Sequence, residues 1–481
     1  MGLLRSILTL FLVVIVVLTG IFVGIQVGGA IYSSPPSLPQ LDPNVYWGPG
    51  KYKEDDITIK PYQIAISKED VKDLKMRLNL PLRLQPSVEG TAFTYGFNSG
   101  TLEKVIEYWR KEYDWEKRET HLNSYPHFKT EIEGLNIHFM RAKPIVESGK
   151  QIKVVPLLLI HGWPGSFVEF YDIIPKLIEP QEGSDVVFEV ICPSIPGYGF
   201  SDAPAKKGVG TLEAGQIFLK LMNRLGFNQF YLQGGDWGSL IATDMATMYP
   251  DNILGVHLNM FQANTPGVNA KWFLGNFLPS GLFMDPKDEP KMYPMGKKLS
   301  FLAAESGYMH IQATKPDTIG AALDQSPVSL GVYILEKFST WTHKDNTQKP
   351  DGGLLQEEFP IALDAMLDNI CIYWFTGSIT SSTRFYAENF NEKFFQGREL
   401  DIIPCNVPSG HAAFPEELMV QPKTFIAHKF YDIVTYTDME VGGHFPAMER
   451  PLLLAADLHK FVSLVEKRKI LDQSKEKLNE L

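Results

Sequence analysis

Five residues near the middle of the chain, Gly234-Gly235-Asp236-Trp237-Gly238, restrict the fold more than any other stretch. They follow the apolar run Phe230-Tyr231-Leu232 and precede Ser239 to Tyr249, a segment with apolar residues at helical spacing that stops at Pro250. The pattern predicts strand, tight glycine turn, helix. Small residues two before and two after the central position let a strained turn lift one side chain clear of a sheet. The lifted side chain here is a carboxylate. Asp and Gly are also ordinary turn residues, so these five alone do not separate a reactive group from a structural turn. No Gly-x-Ser-x-Gly occurs in the chain, which leaves a serine nucleophile without its usual setting.

The flanking sequence extends the same rhythm. Phe128, Ile132, Ile137 and Phe139 about the turn Glu133-Gly134 predict a hairpin. Residues 154–160 form a continuous apolar run of the kind a buried strand carries, ending in His161-Gly162-Trp163-Pro164-Gly165-Ser166. A second such run, 186–191, leads into Pro196-Gly197-Tyr198-Gly199-Phe200-Ser201. Apolar strands alternating with helical stretches predict an α/β fold, a mostly parallel sheet with helices on both faces. From 262 to 395 aromatic-rich helical spacing replaces that rhythm, as in Tyr333 to Phe338 and Ile370 to Phe375, and predicts a helical cap inserted over the sheet. Residues 402–414 and 433–436 read as the last strands, followed by Gly442-Gly443-His444-Phe445. An amphipathic helix over 452–465 then leads to a charged end from Glu466 onward, frayed or exposed.

The N-terminal part reads differently. Ile7 to Ile25 is a run of 19 uncharged residues. At about 1.5 Å per residue it covers roughly 28 Å, close to a bilayer core and longer than the apolar region of a cleaved signal peptide. The expectation is an anchor over 1–34, with Pro35, Pro36 and Pro39 as a stiff spacer. An extension over 35–126 follows, with Ser67 capping one helix and Thr101 a second. The remaining expected units are a core part over 127–261, the cap over 262–395, and a second core part with the C-terminal helix over 396–481.

Acidic residues outnumber basic ones, 56 to 45, so a nucleic-acid partner has no electrostatic support. Three cysteines make no disulfide framework, and no Asn-x-Ser/Thr acceptor occurs. Both features fit a body facing the cytosol, although the charges flanking the apolar run orient it only weakly.

Taken in order, His161-Gly-Trp-Pro-Gly, Gly-Tyr-Gly-Phe-Ser201, Gly-Gly-Asp236-Trp-Gly and Gly-Gly-His444-Phe resemble the α/β-hydrolase fold in its microsomal epoxide hydrolase branch. The wording of the motifs is most similar to the insect juvenile hormone epoxide hydrolases. The likeness extends over the anchor, the extension, the cap segment Gly307 to Thr318, Arg384-Phe385-Tyr386 and Phe414-Pro415-Glu416-Glu417. It implies an enzyme that adds water to an apolar epoxide to give a vicinal diol, with no cofactor or metal. Its partners would be a lipophilic epoxide, water, and membrane lipid through the N-terminal helix.

The resemblance also assigns roles. A carboxylate, with a reference pKa of about 3.9, is charged at neutral pH and needs no base before it attacks an epoxide carbon, which suits Asp236 as nucleophile. Tyr308 and Tyr386 match the family's two cap tyrosines. A phenol with a pKa near about 10 stays protonated and can donate to the epoxide oxygen. His444 would take a proton from water once a carboxylate holds its other ring nitrogen. The family pattern Phe-Pro-x-Glu makes that carboxylate Glu417, while spacing alone leaves Glu416 open, and Asp401 and Asp438 lie outside the motif. Backbone N–H groups of Trp163 and Trp237 would meet the oxyanion on the aspartyl ester. His161 reads as structural, and no metal-ligand spacing links His257, His310 and His411. Two other readings share parts of the pattern. A haloalkane dehalogenase also uses an aspartate elbow but needs donors suited to halide, and a catalytically silent binder of hydrophobic ligands would retain ligand without turnover.

Overall fold

Among the described residues nine strands form one sheet, in the order β1-β2-β3-β5-β4-β6-β7-β8-β9 when numbered along the chain as below. The computed structural model describes residues 36–144, 146, 152–390 and 398–479. The strands are β1 (Lys60–Tyr62), β2 (His127–Ile132), β3 (Leu135–Ala142), β4 (Lys153–Ile160), β5 (Val186–Pro193), β6 (Phe230–Gly234), β7 (Ile253–Leu258), β8 (Cys405–Ala413) and β9 (Phe430–Asp438). All pairs from β5 through β9 are parallel, whereas β1, β2 and β3 make an antiparallel edge. The apolar runs occupy the middle, where both faces are covered; every residue of β6 is buried. Helix Asp236–Met248 packs on β4, β6, β7 and β8, and helix Pro451–Asn479 on β5, β7, β8 and β9.

Several local expectations need correction. Asn98, not Thr101, caps helix Ser99–Lys111, and its side chain accepts from the Gly100 N–H. Thr101 is the third residue of the helix, with its hydroxyl donating to the Pro350 carbonyl at 2.9 Å. Ile402 ends the short helix Glu399–Ile402 and the strand begins at Cys405. Of the two readings of the charged end, the exposed helix holds rather than the frayed one, since the helix runs on to Asn479 with most of 467–475 exposed; Glu466 alone departs from it, buried with its carboxylate accepting from the Tyr231 hydroxyl at 2.6 Å. β1 lies in the stretch read as extension yet pairs with β2. The apolar run 7–25 falls outside the described residues, and among those residues no helix is long and apolar enough to cross a membrane.

Between β7 and β8 the chain leaves the sheet for helices Pro266–Leu274, Met295–Glu305, Gly307–Thr314, Pro316–Leu323, Pro327–Thr342, Leu363–Thr376 and Ile379–Asn389. Helix Trp115–Leu122 and Tyr113 just before it are tied to this layer through one buried carboxylate, Asp368, which is 1% exposed, while helix Ser99–Lys111 reaches the layer through the Tyr108 hydroxyl on Asp364 at 2.8 Å. Asp368 Oδ1 accepts from the Tyr113 hydroxyl at 2.8 Å, and both Asp368 oxygens accept from Arg118 Nε at 2.9 Å. Burial pushes the carboxyl upward, and Arg118 and Tyr113 oppose the shift. Asp368→Ala would leave Arg118 and Tyr113 without their acceptor. It should lower unfolding free energy by about 3 kcal/mol, read as a fall in the denaturant midpoint.

Candidate active site

Register places the site. Ile160 of β4 and Leu258 of β7 both pair with Gly234 of β6, so the loop after β4, the turn after β6 and the segment after β7 leave the sheet side by side. The turn is left-handed at a residue that has a β-carbon: Asp236 has φ +47°. The close approach is enforced at Gly238, where a β-carbon would lie 1.9 Å from the Ile160 carbonyl oxygen. A strained backbone of this kind costs about 1–3 kcal/mol and persists only where its surroundings hold it.

The lifted carboxylate is held at both oxygens. Oδ1 accepts from the Trp163 N–H at 2.8 Å, and Oδ2 lies 3.4 Å from His444 Nε2. Trp237 is the second residue of helix Asp236–Met248, so its amide is among the first N–H groups that lack an intrahelical acceptor. On its other side the imidazole meets Glu417, with Nδ1 2.6 Å from Oε1. The Leu418 N–H donates to that same oxygen at 2.7 Å. Glu416, the neighbour that spacing left open, points away to the Lys344 ammonium at 3.0 Å. Burial favours neutral His444, but the charges of Glu417 and Asp236 and the bonds to both outweigh it and raise the imidazole well above its ordinary value.

Aromatic rings close the site. Tyr308 stacks on Trp163 at 5.0 Å with 8° between planes, and Tyr386 stands edge-on to Trp237 at 4.7 Å and 80°. The two phenol rings are 5.9 Å apart. Burial holds both phenols up in the protonated form; the Asp236 charge adds at each, and at Tyr386 the Tyr308 phenol does too. Trp341 completes the enclosure, 5.1 Å from Tyr308 and 4.9 Å from the His444 ring. All seven residues named by the sequence motifs thus lie around one point.

Other positions invoked from sequence are elsewhere. His161 is buried, takes the Ile195 N–H on Nε2 at 3.1 Å, and is pulled down to about 4 by burial. Asp401 lies by Arg398, Asp438 pairs with Lys291, and His257 pairs with Asp457. Among the described residues no group of three or more His, Cys, Asp or Glu is arranged to hold a metal ion.

The motifs did not reveal the residues that hold the site loops. Asn369 donates to the Pro164 carbonyl and accepts from Ser166, both at 2.7 Å, and Tyr373 donates to the Gly165 carbonyl at 2.7 Å. The Glu449 carboxyl accepts from the Gly443 and Phe445 N–H groups at 2.8 Å, bracketing His444. Apart from the aromatic spacing of Ile370 to Phe375, no sequence signal marks them, because their partners are mostly backbone groups. A β-carbon at Gly162 would lie 2.3 Å from Asp236 Cβ and Oδ1. Gly162→Ala should therefore displace the carboxylate, cutting its alkylation by an epoxide by about 100-fold in single-turnover measurements on a protein that still folds.

Two family models match the chain: the epoxide hydrolase N terminus over residues 59–170 and the alpha/beta hydrolase fold over 155–404. Epoxide hydrolase 1 of Sus scrofa is 48% identical over 429 residues, 88% of this chain and 93% of that one. Juvenile hormone epoxide hydrolase 1 of Ctenocephalides felis is 47% identical over 420 residues, covering 87% and 89%. The crystal structure of juvenile hormone epoxide hydrolase from the silkworm Bombyx mori superposes with a TM-score of 0.86 at 45% identity, covering 89% of this chain and all of that one. The Aspergillus niger epoxide hydrolase gives 0.70 at 31%, covering 85% and 97%. With an α/β-hydrolase sheet, a matching epoxide hydrolase N terminus and relatives spanning nearly their whole length, the chain belongs to the microsomal epoxide hydrolase family and is an epoxide hydrolase.

Proposed function

We propose that this epoxide hydrolase works in two steps through an ester on Asp236. The observation that carries the reading is the placement of one carboxylate against a backbone N–H, an imidazole and two phenols at once. In the first step Asp236 Oδ2 bonds to an epoxide carbon as the carbon–oxygen bond of the ring breaks. Tyr308 and Tyr386 donate to the departing oxygen, stabilising charge that exists only as the ring opens. Oδ1 keeps the Trp163 N–H throughout, and the Trp237 N–H at the start of the helix is the second donor as charge develops there.

In the second step water attacks the ester carbonyl carbon and gives a proton to His444 Nε2. The tetrahedral oxyanion forms at Oδ1 and collapses as the bond from Cγ to the ester oxygen breaks. Protonated His444 gives its proton to that departing oxygen, the water's second proton replaces the one the phenols gave to the ring oxygen, and the diol leaves a regenerated Asp236 carboxylate. Charge controls the order of events. In the free enzyme the Asp236 charge favours protonated His444. Once Asp236 is an ester that charge is gone, and the imidazole becomes a better base at the stage that requires one.

The substrate we propose is an apolar epoxide, a juvenile hormone first among them. The aromatic lining and relatives named as juvenile hormone epoxide hydrolases support this. A competition among a terpenoid epoxide ester, a fatty-acid epoxide and an arene oxide, with diols identified by mass, tests the choice. The hormone analogue should have the highest kcat/KM. The location we propose is the endoplasmic reticulum membrane, with residues 7–25 as anchor and the catalytic body in the cytosol. Supporting it are the uncharged run of 19 residues and three free, buried cysteines. A chain lacking residues 1–34 should remain in solution where the full chain floats with microsomes.

Substitution separates the steps. Asp236→Ala should abolish alkylation, whereas His444→Gln should accumulate ester with ring opening retained; normal turnover by the His444 variant would rule the scheme out. Acidification should act on the second step, because a protonated imidazole cannot accept a proton. As pH falls from about 8 to about 5 the steady-state fraction of esterified enzyme should rise, measured by acid quench and intact mass.

A further inference from the structure

Behind Asp236 lies a small space bordered by Glu169, Asn259, Gln233, Gly162 and His444. The space open to the centre of a water molecule is about 20 Å³, and about 10–15 Å³ on that measure holds one water. Its polar walls are only partly paired. Asn259, 2% exposed, accepts from Gln233 Nε2 at 2.8 Å through Oδ1, while its own Nδ2 donor has no acceptor among the described residues. A buried amide N–H left without an acceptor is costly, and a single water supplies one.

Glu169 is the second unexplained wall. It lies in the 3-10 helix Phe167–Phe170 just after the Trp163 loop. Its carboxyl fills the place that a side chain at residue 165 would take: a β-carbon on Gly165 would lie 1.4 Å from Oε1. The loop thus keeps a glycine where the acid reaches the cavity from four residues further on. Burial pushes this carboxyl up to about 8, His444 opposes the shift, and the Asp236 charge adds to it.

We propose that this cavity is the binding site of the hydrolytic water, with Glu169 and Asn259 as its positioning residues. The proposal rests on the two-step reading above. Asn259 Nδ2–H donates to the water oxygen, one water O–H points to His444 Nε2 and the other to the Glu169 carboxyl. That leaves a lone pair of the water for the Asp236 carbonyl carbon. As the carbon–oxygen bond forms, His444 takes the first proton; Glu169 keeps the second O–H oriented and takes part in no net transfer. None of this is needed while Asp236 attacks the epoxide, so the two residues should matter in one half-reaction only.

The test measures both half-reactions in the full-length enzyme by rapid quench and intact mass, using a lipophilic epoxide that the wild type alkylates and releases. The variants are Glu169→Gln, Asn259→Ser and Gly165→Ala, the last placing a methyl group where the carboxyl lies. In each folded variant, ester formation should stay within about twofold of wild type and ester hydrolysis should slow at least about tenfold, so that ester accumulates. Hydrolysis at the wild-type rate, or equal slowing of both steps, would overturn the proposal. If one variant fails to fold, the remaining two decide. A wild type that forms no ester would instead refute the two-step reading, which keeps the two failures apart.

Discussion

The structure depends on one carboxylate held at φ +47° where a strand turns into a helix. An L-residue does not choose that conformation; the packing around it imposes it. The Gly238 backbone lies against the Ile160 carbonyl, and the paired registers of β4, β6 and β7 bring three loops to the same edge. Once the turn is locked, Asp236 stands above the sheet with its two oxygens already sorted. One faces the Trp163 amide and the other His444. Preorganisation of this kind means the donors need not move as charge develops.

Around that carboxylate the protein concentrates buried acids. Glu417 holds His444 directly, Glu449 holds the loop that carries it, and Glu169 borders the cavity between His444 and Asp236. Burial pushes Glu449 up to about 7 and Glu169 to about 8, so these two can enter the site without adding full negative charge to it. Desolvation, which would make a free carboxylate costly here, thus also limits the repulsion between neighbours.

The helices above the sheet serve the chemistry by holding loops as well as by closing the pocket. Helix Leu363–Thr376 bonds to three consecutive positions of the loop after β4, through Asn369 and Tyr373. Trp341 lies over His444, and its carbonyl accepts the His444 N–H at 3.0 Å. The N-terminal helices reach the same layer through Arg118 and Tyr113 on Asp368 and through Tyr108 on Asp364. Extension, covering helices and sheet therefore meet at side chains whose sequence numbers differ by 200 or more.

Much of this was legible in order of residues. Apolar runs marked the buried strands, and the glycines about Asp236 marked the turn, because a close approach permits only glycine there. Motif resemblance then supplied Asp236, His444, Glu417, Tyr308 and Tyr386 as a set. What the sequence by itself determined, then, was the strand-turn-helix element and the kinds of chemical group available. Spacing left two adjacent glutamates open and the family pattern pointed to Glu417; only the tertiary structure puts the Glu417 carboxylate on the imidazole and turns Glu416 to Lys344, since the two diverge through the fold of their turn. It alone showed Glu169 in a wall of the site, because an acid within Phe167-Val168-Glu169-Phe170 reads as a surface charge until Gly165 leaves room for it. Local spacing encodes turns and faces; contacts across hundreds of residues exist only after the sheet has set the distances between them.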